Sequence, residues 1–458
     1  MVETRLQNVI LPSRGSDKTF DVTISDNIVT SVTRSSPQHT CPSLLLPSLC
    51  HPHLHLDKAY LLTSNNPTYS HLAPETGSFC EALTNTAQAK SLYTEEDLYL
   101  RGSQLLATTH AQGATTARTF VEVDATTGTL PLTVARRLKR DFAHLIELQI
   151  VAFAQERLCS GADGDANRRV LEEVLASEAA ADIAVLGTTP YVESSRQAQI
   201  SNIAWAIRTA IDKNLHLDFH LDYNLNSHSS DPECSPLTYE VISGLNSAHW
   251  TTKNEGKTVV LGHCTQLSLL GNDDLNQLKT KISDEGLPVH FVGLPTSDLF
   301  MMGRGHHPKP RGTLPVMDFI SNGLEACLGV NNVGNAFTPF GTADPLSLAS
   351  WAVGIYQAGT EADAEILYGC VSWRARRAIG LASEQDGKMG GETDVYEGMR
   401  WRPMLLVENR LFIDMGDQIV RGNKEDGDSA LMIPGRQRCS IRDVVWDPPE
   451  VSLRKVMK

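Results

Sequence analysis

Through the middle of the chain, short apolar runs recur at intervals that leave room for a helix between each pair. Eight of them stand out, at residues 46–54, 115–122, 146–153, 183–188, 215–221, 258–263, 288–294 and 324–330. Runs of this length alternating with helical-length segments predict the strands of a parallel sheet. Polar, chemistry-bearing residues close many of these runs instead of gathering at one point in the series. That distribution favours a closed barrel over a doubly wound sheet with a single switch point. The expected fold class is therefore α/β, a (β/α)8 TIM barrel. The two ends of the chain read differently. Residues 5–47 are short, alternating and broken by turns, as in Thr19-Phe20-Asp21-Val22-Thr23-Ile24. The same texture returns over 401–422, where Met404-Leu405-Leu406-Val407 and Leu411-Phe412-Ile413-Asp414 flank a Glu408-Asn409-Arg410 turn. Period-two alternation predicts strands, and the two ends are expected to join in one small β-sheet domain. The expected division is 1–47 and 393–458 for that domain with its tail, and 48–392 for the barrel. The polar segment 383–397 is expected to be a loop leaving the barrel. In the tail, Val444-Val445-Trp446-Asp447-Pro448-Pro449 is expected to cover the small sheet or to make an oligomer contact.

Composition narrows the function classes. The 458 residues carry a net charge of −14, and aromatic residues make up only 6%. Neither a dominant basic surface for phosphate backbones nor a nucleic-acid partner is expected. No stretch approaches eighteen uninterrupted apolar residues, and the first residues show no basic segment leading into an apolar core. Neither a membrane partner nor a secretory signal is expected. Nine cysteines, an odd number with no CxxC pair, fit a reducing cytoplasm rather than a disulfide framework. No Walker loop, dinucleotide fingerprint or GxSxG elbow is present.

The candidate chemistry lies at strand ends. The first run closes with Cys50-His51-Pro52-His53-Leu54-His55-Leu56-Asp57-Lys58. Residues two apart on a strand point to the same side, so His53 and His55 can aim both imidazoles into one cavity at the barrel mouth. His220 and His263 close two later runs, in Asp218-Phe219-His220 and Gly262-His263-Cys264. Four histidines at the ends of three strands predict a site for one divalent metal ion, zinc or iron, with an open position for a reactive water. His306 and His307 are adjacent and would diverge in an extended chain, so they are not counted as ligands. The basic stretch around them, residues 303–312, reads as a solvated loop. Lys58 would bridge only a two-metal centre, for which the carboxylates are too few.

These motifs, in this order, resemble the cytosine deaminase-like branch of the amidohydrolase superfamily over residues 40 to 380. The resemblance rests on the HxH-LDK segment, Arg118-Thr119-Phe120-Val121-Glu122-Val123-Asp124, the strand end reaching Gln155, Asp218-Phe219-His220 and Gly262-His263. It implies that His53, His55 and His220 hold the metal and that His263 assists the attacking water. It further implies that Gln155 hydrogen-bonds a cyclic amide or amidine. The segment Leu294–Arg304, with Asp298, is similar to a loop over the substrate, and Asn332 would contact substrate as well. Two positions depart from the pattern. Asn331 stands where the family carries a metal-binding, proton-accepting aspartate, and an amide is no useful base near neutral pH. Tyr223 stands where the family carries a proton-shuttling glutamate. Two replacements are open: Asp222, two residues from His220 and so expected on its face of the strand, or His263 together with Tyr223. The expected activity is hydrolysis of a non-peptide carbon–nitrogen bond in a small nitrogen heterocycle or amide. The competing expectation is a divergent member that binds without turnover or runs a lyase or cyclase reaction in the same pocket. A homo-oligomer is compatible with either.

Overall fold

The computed structural model describes residues 3–36, 41–63, 66–226, 234–381, 393–416 and 432–458. Two compact units are formed, Met1–Ser48 with Glu384–Lys458, and Leu49–Ser383.

The unit built from both chain ends contains a six-stranded mixed sheet. Strands Glu3–Ile10, Thr19–Ser25 and Ile28–Arg34 form an antiparallel meander, and Ser43–Pro47 adds parallel to the first of them. Met404–Val407 pairs antiparallel with Ser43–Pro47 and, on its other side, with Arg454–Met457. Val9, Val22, Val29, Leu45, Trp401 and Met404 pack in its core. The expected joining of the two ends in one sheet is thus observed. The expected strand at Leu411–Asp414 is reduced to one bridge, Phe412 with Pro434; residues 417–422 of that expectation lie outside the described residues. The tail segment around Val444 forms a short helix, Ile441–Trp446, that buries Val444 and Val445 and leaves Trp446 exposed.

The second unit is a parallel eight-stranded barrel whose strands we number β1 Leu49–His55, β2 Ala114–Glu122, β3 Glu147–Ala154, β4 Ile183–Thr188, β5 His216–Leu221, β6 Val259–His263, β7 Val289–Gly293 and β8 Ala326–Leu328. Neighbours in sequence are neighbours in the sheet. Every residue of β1, β2, β5, β6, β7 and β8 is buried, as expected of parallel strands covered on both faces. The seam between β8 and β1 closes just beyond β8, where Asn331 N donates to His53 O at 3.1 Å and His55 N donates to Asn331 O at 2.8 Å. Inside the barrel Arg118 is fully buried and paired with Asp218 at 2.9 Å, with Gln149 Oε1 accepting from its Nε at 2.6 Å. This pair fills the interior beneath the mouth.

Candidate active site

His53 and His55 leave β1 on the same side, and His220 meets them from β5. The Nε2 atoms of His53 and His55 each lie 3.1 Å from Nε2 of His220. Burial pushes all three imidazoles well below their ordinary pKa. They are therefore neutral near pH 7 and present lone pairs to a common point, as a metal centre requires. The Nδ1 atoms of all three lack hydrogen-bond partners, so no tautomer that would turn Nε2 into a donor is enforced. A further oxygen joins them. Asn331 Oδ1 is buried beside His53 without a sound hydrogen bond, while its Nδ2 donates to Ser297 Oγ at 2.9 Å. The donor set fits a divalent ion: three imidazoles and one neutral amide oxygen, all buried, with their lone pairs unspent.

His263 ends β6 with a left-handed backbone, φ 68°. Its Nδ1 donates to Asp298 Oδ1 at 2.7 Å, and the other carboxylate oxygen accepts from Thr313 Oγ1 at 2.8 Å. Burial raises the Asp298 carboxyl, and the bonds from His263 and Thr313 oppose that rise. With Nδ1–H committed to the carboxylate, Nε2 is the acceptor that remains for the pocket. Asp298 was expected against substrate; instead it lies behind His263 and orients it.

Asp222 departs from expectation for a clear reason. The same-face argument holds only while the strand continues, and β5 ends at Leu221. Asp222 adopts φ 47°, which turns its carboxylate away from the histidines. The carboxylate accepts from Leu237 N at 2.7 Å, Thr238 N at 3.1 Å and Thr238 Oγ1 at 2.6 Å. Asp222 is a tie between β5 and the following helix, and it does not face the three histidines. Tyr223 does line their pocket, its ring 4.0 Å from that of His263, centroid to centroid. Burial, with Asp298 and Tyr191 nearby, pushes its phenol well above the ordinary range, so it remains a neutral O–H.

Gln155, Asn331 and Asn332 line the pocket as well. Three residues join them that the sequence did not single out for this role: Lys58, Tyr191 and Phe337. Lys58 Nζ donates to Gln155 Oε1 at 3.1 Å and pairs with Glu122 at 2.5 Å. The only sequence signal for Tyr191 is its place three residues beyond β4. The free space between these side chains is about 20 Å³.

A second group of convergent ligand atoms lies nearby: Glu122, Asp124 and Glu156. Lys90 inserts its ammonium among them, at 2.5, 2.5 and 2.9 Å respectively. Glu122, although buried, is held at about 2 by Lys58 and Lys90 acting against desolvation.

Comparison with known proteins agrees with this architecture. No protein-family model matches the chain. A pterin deaminase of Rhizobium rhizogenes is 22% identical over 349 residues, covering 73% of this chain and 72% of that protein. Among solved structures, 5-methylcytosine deaminase of Klebsiella pneumoniae liganded with 5-fluorocytosine superposes with a TM-score of 0.73 at 21% identity, over 88% of this chain and 91% of that one. N-isopropylammelide isopropylaminohydrolase of Burkholderia multivorans gives 0.65 at 20% identity, over 89% and 92%. The chain has the fold of the amidohydrolase-superfamily deaminases, as the order of its motifs implied. Among the described residues, no helix is long and apolar enough to cross a membrane.

Proposed function

We propose that this chain, folded as an amidohydrolase-superfamily deaminase, hydrolyses a non-peptide carbon–nitrogen bond of a small nitrogen heterocycle, at a single divalent ion, zinc or iron. The observation that carries the reading is the His263–Asp298 pair at 2.7 Å beside three convergent imidazoles. It supplies a proton acceptor where the two expected carboxylates are replaced by Asn331 and Tyr223.

His53, His55 and His220 would hold the ion, with Asn331 Oδ1 as a neutral fourth donor. When bound, the ion supplies Lewis-acid activation of water and of the substrate carbon's partner atom. His263 Nε2 accepts the proton of the attacking water as the new carbon–oxygen bond forms, and Asp298 stabilises the resulting imidazolium. The same proton passes from His263 to the departing nitrogen as the carbon–nitrogen bond breaks, releasing ammonia or an amine. Gln155 and Lys58 on one side, and Tyr223 and Asn332 on the other, orient the ring through hydrogen bonds. The activities that name the similar proteins, on pterin, 5-methylcytosine and N-isopropylammelide, support an amino- or amide-bearing ring as the substrate class. Nine free cysteines support a reducing cytoplasm as its location.

The test combines metal content with turnover. Elemental mass spectrometry is expected to find about one zinc or iron per chain, and none in a His53→Ala, His55→Ala variant. The loaded protein is expected to release ammonia or amine from at least one member of a panel of pterins, cytosines and triazines. Asp298→Asn is expected to lower kcat by ~10²–10⁴, because the imidazolium formed at His263 loses its carboxylate partner. Metal-loaded protein without turnover on the whole panel would sink the proposal and favour a binding role.

A further inference from the structure

The free space at the histidines, about 20 Å³, holds roughly one water molecule and no heterocycle. A second cavity of about 340 Å³ adjoins it, a size typical of small-molecule sites. Tyr191 and Tyr223 line both spaces, and their rings stand 5.9 Å apart, centroid to centroid. Phe79 completes the partition, 5.5 Å from Tyr223 and 6.4 Å from Tyr191. The dividing wall is thus aromatic on its face and built from side chains, which rotate without breaking backbone hydrogen bonds. The Tyr223 hydroxyl makes one long contact, 3.5 Å to Ser297 O, so its ring is held by packing with Ala82, Met301, Ala336 and Phe337 rather than by hydrogen bonds.

The outer chamber differs from the inner one in chemistry. Beyond the aromatic wall its lining is hydrogen-bonding, with Arg196, Gln199, Asn224 and Gln266. Arg196 is held in place by Ser235 O at 2.7 Å and Glu240 at 3.2 Å, and Gln266 by Cys234 O at 2.8 Å. The Asp222 carboxylate, although it borders the chamber, is already occupied by three donors. Gln266 and Asn224 spend donors on Cys234 O, on Asn226 O and on each other, so the donors left to the chamber come chiefly from the Arg196 guanidinium and the Gln199 carboxamide, next to aromatic rings. Such a surface suits a group rich in acceptor oxygens attached to a flat ring.

We infer that the outer chamber is a substrate subsite, and that the substrate is an extended heterocycle. Its reacting ring passes the Tyr191–Tyr223 wall to reach the histidines, while an acceptor-rich substituent, a hydroxylated or carboxylated side group, stays in the chamber. The inference rests on the hydrolase reading for the identity of the inner site, but its test reads binding and does not depend on turnover. Bare rings that fit the inner space alone would lack the hydrogen bonds of the chamber and bind weakly.

The experiment titrates the metal-loaded full chain by calorimetry with matched probes: cytosine against cytidine, and pterin against pterin-6-carboxylate. Two variants narrow the chamber at positions outside the aromatic partition, Gln199→Trp on the helix Arg196–Lys213 and Cys234→Trp. The substituted member of at least one pair is expected to bind at least tenfold tighter than the bare ring. At least one narrowing variant that keeps the wild-type melting temperature should remove that advantage while leaving the bare ring's affinity unchanged. Equal or weaker binding of both substituted members, absence of binding by all four probes, or an advantage that survives both folded variants would overturn the inference. Tight binding without turnover would leave the subsite standing and count only against the hydrolase reading.

Discussion

Two groups of metal-type ligands sit at the mouth of the same barrel, and they have been finished in opposite ways. His53, His55 and His220 converge with their lone pairs open and their charge removed by burial. Glu122, Asp124 and Glu156 converge just as closely, yet Lys90 fills the space between them and Lys58 takes the remaining side of Glu122. Counting donors would rank the carboxylates as the better site for a hard cation. What separates the two is whether a protein cation already stands where an ion would. The carboxylates expected beside the histidines are replaced there by Asn331 and Tyr223, while Glu122, Asp124 and Glu156 are spent on holding two lysines.

The largest effect expected from disturbing this contrast comes from Lys90→Met. It would leave three carboxylates converging without their ammonium, two of them fully buried, and breaking a buried ionic group in this way costs ~3–5 kcal/mol. Thermal melts should show the loss, and millimolar manganese or calcium should restore part of it if the lysine is what excludes a cation. A variant as stable as the wild type would mean that Lys90 contributes no net stabilisation, and the contrast between plugged and open sites would fail.

Asn331→Asp approaches the comparison from the other side, by adding a charged oxygen to the open group. Hydrogen bonds and contacts to ionised groups are roughly twice as strong as neutral ones, so metal affinity should rise by on the order of tenfold, about 1.4 kcal/mol. Competition against a chromogenic chelator measures it. Unchanged affinity would place the side chain of residue 331 away from the ion and reduce Asn331 to its backbone role in closing the barrel seam.

Much of this was legible in the sequence, and the pattern of what was not is physical. Barrel strands are buried on both faces, so they read as apolar runs, and most observed ends fall within one or two residues of the expected ones. The first run, 46–54, in fact spans the end of one sheet and the start of the other, divided at Ser48. The convergent histidines were visible because they close apolar runs, with strand alternation putting His53 and His55 on one side. Asp222 was misplaced because its direction depends on a left-handed turn after β5, a feature fixed by hydrogen bonds to Leu237 and Thr238 and invisible to periodicity. Asp298 was placed in the correct loop with the wrong partner, since only the fold brings it to His263, 35 residues away. Lys90 carried no signal, because its three partners come from two other strand ends.

The smallest effect separates the two groups by pH. Glu122 is held at about 2 in the folded chain, below the ordinary value for a glutamate of ~4.3. A depressed carboxyl contributes stability that is complete above its unfolded value and is lost as pH falls through its folded value. The contribution of Glu122 should therefore be full above about pH 4.5 and decline between there and about pH 2. Glu122→Gln removes the titrating group while keeping its shape, so denaturant midpoints of the variant should fall less steeply than those of the wild type across this acid window, and the two slopes should match from pH 5 to 7. The histidine group acts alike in both proteins: burial holds its three imidazoles well below their ordinary value, so both lose stability as pH falls below about 6.5 and the unfolded chain takes up protons that the fold does not. That shared loss cancels from the difference between the slopes, and metal-free samples keep metal release out of it. Equal slopes for variant and wild type below pH 4.5 would show that Glu122 is not ionised in the fold, and that Lys58 and Lys90 owe their positions to packing rather than to the carboxylates around them.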